Sequence, residues 1–245
     1  MPALLVTLLF LGLWWLAGQL QMFETSLFPT VAMVVKAFLE ELTSGRLLGD
    51  WWASISRIFI GGGMAILSGV LLGLLVSRSE MSRKALRPHF NFFRYVSPIS
   101  WIPFAILWFG VGDMPVIFLI YISSVFPMVT ATNAAMERIP VLYLKVGKEY
   151  RLSPSNYFFE VILPAILPDL LTAIRVVLGI SWVVLVAAEM IAGKQGLGFG
   201  IHDARNGLRV DLIVVYMLLI GITGWAMDYV ISRFTTSARL RWKHG

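Results

Sequence analysis

The sequence has no cysteine, which excludes disulfides and thiolate metal sites. Its three histidines, His89, His202 and His244, are too dispersed to form a metal motif, and H-E-x-x-H does not occur. G-x-S-x-G is missing as well. Gly193-Lys194-Gln195-Gly196 lacks the spacing of a nucleotide-binding loop, which needs four residues between its first Gly and a Gly-Lys-Ser/Thr ending. The chain therefore reads as no enzyme, with no catalytic residue, no metal and no cofactor of its own. Any energy from ATP has to enter through another chain. Charge is scarce too: Asp, Glu, Lys and Arg make up 14% of the residues.

What fills the space is apolar. Hydrophobic residues are 58% of the chain and the mean hydropathy is +0.79, far from the balance of a soluble domain. A hydrocarbon core of ~30 Å takes about 20 apolar residues per helix. Six segments qualify, at about 3–20, 55–77, 95–112, 115–135, 166–192 and 211–233. No stretch between them can hold a second domain, so residues 1–245 read as one all-α, polytopic membrane domain. The first segment reads as a retained span, because Met1-Pro2-Ala3 gives no positive start to a signal peptide.

The net charge of +6 is explained by topology and does not call for a nucleic-acid partner. Thirteen Lys and Arg fall in the two loops after the second and fourth segments and in the tail, against six on the other side. That bias predicts both termini, and the loop after the fourth segment, in the cytoplasm.

That loop, Lys145 to Pro168, is polar, basic and punctuated by proline. Pro140 suits the start of a helix that Val141, Leu144 and Lys145 continue. Ser153-Pro154 signals a second start, a Ser cap followed by Pro at the first helical position. Phe158, Val161 and Ile162 then repeat at helical spacing, and Pro164 is expected to end the helix. The loop predicts helix, turn and helix along the inner membrane face.

The same stretch resembles the EAA loop of ABC-importer permeases, whose pattern is E-A-A, three residues, G, nine residues, then I-x-L-P. Val161-Ile162-Leu163-Pro164 matches its end. Lys145 stands where the first Glu belongs, Gly147 where the second Ala belongs, and Arg151 where the Gly belongs. Further segments are similar to nitrate/sulfonate/taurine-type permeases: Leu27-Phe28-Pro29-Thr30, Pro98 to Pro103 with Ile106 to Gly112, and Gly196 to Ile201 with Asp203-Ala204-Arg205-Asn206. The resemblance implies a type I ABC-importer permease fold with a cytoplasmic coupling loop at about 137–165. It implies Lys145, Gly147, Lys148, Arg151, Leu152, Ser153 and Pro164 as contacts to a cytoplasmic ATP-binding subunit, which would hold ATP and Mg. It also implies a periplasmic substrate-binding protein and a second permease copy, making a homodimer. The solute it implies is a small anion such as nitrate, taurine or an alkanesulfonate, with thiamine precursors and riboflavin carried by relatives. The rival class is a secondary transporter or channel, but no internal repeat supports it.

Ionisable residues within spans mark candidate sites. Glu189, near the outer end of the fifth span, is the candidate for the translocation path; the competing reading pairs it with Lys194 or Arg57. Arg175 is expected to pair with Asp169 or lipid phosphate, and Asp228 with Arg233. Gly69 and Gly73, one turn beyond Ala65, make a close-packing stripe that suits either a seam within the bundle or a dimer interface.

Overall fold

The computed structural model describes residues 2–20, 24 and 27–243, with the side chains of residues 2–4, 146, 148 and 234–243 outside the description. Every regular element among the described residues is helical: α1 (Pro2–Gln19), α2 (Val31–Thr43), α3 (Arg46–Ser77), α4 (Glu80–Tyr95), a 3₁₀ turn (Pro98–Trp101), α5 (Ile102–Phe109), α6 (Asp113–Glu137), α7 (Val141–Glu149), α8 (Pro154–Asn156), a π-helical turn (Tyr157–Ile162), α9 (Leu163–Ala192), α10 (Leu197–Asn206) and α11 (Val210–Lys243).

Among the described residues, four helices are long and apolar enough to span: Arg46–Ser77, Asp113–Glu137, Pro154–Ala192 and Val210–Arg233. Three of them carry large exposed apolar groups: Phe59 and Leu67 on α3, Val183 on α9 and Ile222 on α11. That placement is stable where the surroundings are lipid. The second expected span begins nine residues early, at Arg46, since nothing in 46–54 breaks a helix and its polar residues find partners. Segment 21–54, between the first two expected spans, holds the extra helix α2, whose cap is Thr30, accepting from Met33 N–H at 3.4 Å.

The third expected span, 95–112, is corrected. The membrane element here is a broken pair, Glu80–Tyr95 and Pro98–Phe109, bent by 86°. Pro98 lacks a donor N–H, and Ser97 before it is held out of the α region at ψ 127°. Pro103, in the first turn of α5, is tolerated there because an N–H at that position has no helical partner. The twelve residues after the break are also too short, at ~20 Å, to cross alone. The first limb runs beside α6, with Arg83 and Arg87 reaching Glu137 and Phe93 stacked on Phe126. The second limb meets α6 at Phe118, which Trp101, Trp108 and Phe109 surround.

The core centres on α6, packed between α3 and α9. A stripe of small residues lets α3 approach: Ala65 is fully buried, and a Cβ at Gly69 would fall 2.6 Å from Met128, one at Gly73 2.5 Å from Thr132. α6 fills this stripe, so the seam lies within the bundle and the dimer-interface reading is set aside. On the opposite side, Ser124 and Ser181 join α6 to α9 through a 2.5 Å hydroxyl contact, an interhelical bond suited to an apolar interior.

Candidate functional site: elbow, groove and clamp

At one end of the bundle α7, a turn and α8 form an elbow. Ser153 caps α8, accepting from Asn156 N–H at 3.3 Å, with Pro154 at the first position. Gly147 is buried against the second limb, where a Cβ would lie 2.5 Å from the Tyr157 ring. Between the limbs, Arg151 adopts φ +48°, a left-handed conformation that costs a side-chain-bearing residue ~1–2 kcal/mol. Leu152, half-buried, closes the turn by donating to Gly147 O at 3.4 Å. Lys145 and Arg151 are exposed. Glu149 and Glu160 stand among them, so the elbow carries both signs. Val141, Leu142, Tyr150 and Phe159 are also exposed there. Lys148 belongs to α7, but its side chain lies outside the described residues.

Pro164 does not end the second limb. The helix runs from Pro154 to Ala192 without a break, 39 residues in all. The π-helical turn accommodates the proline: Leu163 N–H donates to Phe158 O, five residues back. The widened turn takes up the missing proline bond and leaves room for its ring.

Beside the elbow, a groove of about 640 Å³ opens between α6, α9 and the break of the bent pair. Ser123, Pro127, Thr130 and Ala134 line it from α6, Thr172 and Val176 from α9, and Arg94 and Pro98 from the bent pair. Arg138 and Asp169, 3.8 Å apart, stand at its elbow end. A second cleft, between α3 and α11, is walled by Trp51, Phe59, Ile222 and other apolar groups, which suits lipid rather than a solute.

The opposite end is closed by a polar clamp. Arg57 Nη1 donates to Glu189 Oε1 at 2.5 Å and to Gln195 O at 2.6 Å, and its Nε and Nη2 reach Asp113 Oδ1 at 2.9 and 2.5 Å. Glu189, 0% exposed, also accepts from Ser54 Oγ at 2.9 Å and from Gly198 N–H at 2.9 Å. Asp50 accepts from Gly196 N–H at 3.0 Å and from Tyr216 O–H at 2.8 Å, and Ser54 Oγ accepts from Leu197 N–H at 2.9 Å. The first free N–H groups of α10 are thus capped by side chains from α3 and α9. Buried ionised groups persist only when paired and bonded in this way. Gly196 holds φ +122° and Gly200 lies hard against Tyr216, which accounts for the glycine spacing of this segment.

Residues 65–242 match the family described as binding-protein-dependent transport system inner membrane component. This chain belongs to that family. It is similar to the nitrate import permease protein NrtB of Synechocystis, at 32% identity over 83% of this chain and 74% of the relative. It is likewise similar to the bicarbonate transport system permease protein CmpB of the same organism, at 35% identity over 74% and 66%. Its fold matches a chain of the inward-facing MetNI methionine ABC transporter, with a TM-score of 0.67 at 18% identity, covering 78% of this chain and 95% of that one. The protein is an integral inner-membrane component of a transport system, with the all-α permease fold of ABC importers.

Within the permease, Lys145, Gly147, Arg151, Leu152 and Ser153 share the elbow, while Pro164 lies further along the rod and Glu189 at its far end. Of the readings for Glu189, the structure realises the pairing with Arg57; its carboxylate is sealed from open space. Arg175 bonds Asp228 through two 2.6 Å contacts. Asp169 faces Arg138, and Arg233 lies over Tyr229, so the expected Arg175–Asp169 and Asp228–Arg233 pairs do not form. The cause is the side-by-side packing of α9 and α11. Sequence reasoning missed Asp50, Ser54 and Asp113 as clamp members. It also counted Arg94 in the loop between the second and third expected spans, whereas Arg94 lies in the last turn of α4, the first limb of the bent pair.

Proposed function

We propose that this chain is the permease subunit of an ATP-driven importer for a small anion, nitrate or a similar oxyanion, working as a pair. The match across residues 65–242 carries the reading, and the chemistry of the two named relatives gives the solute class. Each copy docks a cytoplasmic ATPase at the α7–α8 elbow, with both termini on that side. ATP and Mg belong to the ATPase. A periplasmic binding protein delivers the solute at the end closed by the clamp, and the groove is one wall of the path. Closure of the ATPases moves the elbows, and coupling through them requires that the elbow contacts differ between the two states.

The elbow supports this reading through its exposed apolar side chains beside Lys145 and Arg151, on a limb that continues into a membrane-spanning rod. The test is co-purification with candidate ATPase and binding-protein subunits from the same organism, native mass measurement, and ATP-dependent uptake of nitrate, bicarbonate and taurine into vesicles. A complex of two permeases and two ATPases that imports one of these anions is expected. A monomer that transports without ATP would overturn the reading in favour of a secondary transporter.

A further inference from the structure

We propose that Arg94 is an anion-binding residue on the translocation path, its guanidinium receiving the oxyanion midway through the groove. This rests on the small-anion reading above. The Phe93 ring stacks on Phe126 at 5.2 Å and 16°. Phe126 is near the middle of α6, about 16 Å along the helix from Glu137. Arg94, next in sequence, therefore lies level with the middle of the spanning helix α6, and it lines the groove together with Pro127 and Thr130.

A cation at that depth is costly unless it is paired or faces water, and so marks a solute pathway. The other arginines embedded in the bundle are paired: Arg57 with Asp113 and Glu189, Arg175 with Asp228. Among the described residues Arg94 reaches no carboxylate. It donates to the Tyr95 hydroxyl at 3.1 Å and lies 5.0 Å from that ring's centre. One bond leaves most of its five donors free, in a planar fork that suits two oxygens of a trigonal or tetrahedral oxyanion. Arg94 is exposed to the groove, so an entering anion can reach it. At the elbow end the Arg138 charge is answered by Asp169, so the excess positive charge of the groove is concentrated at Arg94. A single guanidinium gives a hold that is selective for anions yet weak enough to release them.

The natural absence of cysteine makes the test clean, since an introduced thiol is unique. Thr130→Cys, in the groove, is expected to react with a membrane-impermeant methanethiosulfonate, whereas Leu67→Cys on the lipid-facing side of α3 is not. Nitrate is expected to slow the Thr130→Cys reaction several-fold, and Arg94→Gln in that background is expected to abolish the protection. In the assembled transporter, Arg94→Gln should lower nitrate uptake at least about tenfold, the loss expected from removing one charge-assisted hydrogen bond. ATP hydrolysis and complex yield should persist, and Arg94→Lys should recover part of the uptake. Protection that survives Arg94→Gln, or wild-type uptake by that variant, overturns the proposal. A wild-type complex that imports none of the tested anions instead sinks the small-anion reading, while the thiol protection still decides whether Arg94 binds nitrate.

Discussion

Replacing Glu189 should cost the permease stability before it costs transport. The carboxylate is fully buried and serves two structural tasks: it neutralises Arg57 and caps α10 through Gly198 N–H. Removing one partner of a buried pair typically costs about 3–5 kcal/mol. Asp113 tempers this, since it keeps two bonds to Arg57 and is itself 69% exposed. Glu189→Gln retains an acceptor for Gly198 and Ser54 and loses the charge, so ~2 kcal/mol is expected. Glu189→Ala also loses the cap, worth ~1 kcal/mol, and leaves a cavity, so ~4 kcal/mol is expected. At 2–4 °C per kcal/mol for a chain of this size, melting should fall by ~4–8 °C for Gln and ~8–16 °C for Ala. The assay is thermal unfolding in detergent, read by size-exclusion yield after heating. Arg57→Leu with Glu189→Leu should melt above the sum of the single losses, because no charge is left stranded. Wild-type melting of Glu189→Ala would refute the reasoning and return Glu189 to the solute path.

Three other outcomes can be checked alongside. Gly69→Val and Gly73→Val should each destabilise by at least about 1–3 kcal/mol through overpacking on Met128 and Thr132, whereas Gly63→Ala, with nothing within 4 Å of its Cβ, should be neutral or stabilising in the same melting assay. Arg151→Gly relieves a left-handed residue and should raise elbow stability by ~1 kcal/mol, read as slower local hydrogen exchange; if docking uses the guanidinium, ATPase co-purification falls mildly with Gly and sharply with Glu. Gly200→Ala should push Tyr216 away from Asp50 and loosen α10, visible as faster amide exchange at Gly196 and Leu197.

Composition and period made the all-helical membrane architecture legible, and local rules made the Ser153-Pro154 cap legible, because both depend on residues close in sequence. The small-residue stripe at 65, 69 and 73 was visible too, although its partner was not, since nothing in α3 says which helix will fill it. What stayed hidden depends on distant chain. Arg57 chooses among carboxylates that are neighbours only after α3, α6 and α9 have packed. Arg175 and Asp228 meet for the same reason. A rule of about twenty apolar residues carried the third expected span, 95–112, across Pro98 and left Arg94 outside. Pro164 read as a stop because proline usually is one, and only the π-helical turn before it shows how the helix continues.

The uninterrupted run from Pro154 to Ala192 has a mechanical consequence. At 1.5 Å per residue it is about 58 Å long, with the elbow at one end and Glu189 at the other. If it pivots near its midpoint, a tilt of about 5° carries each end ~2.5 Å, comparable to the Arg57–Glu189 contact. A push at the elbow would then strain the clamp directly, as one arm of a seesaw lifts the other, with no chain of intermediate contacts to relay it. Distance measurements between spin labels at the two ends, with and without ATP, should show them swinging in opposite directions.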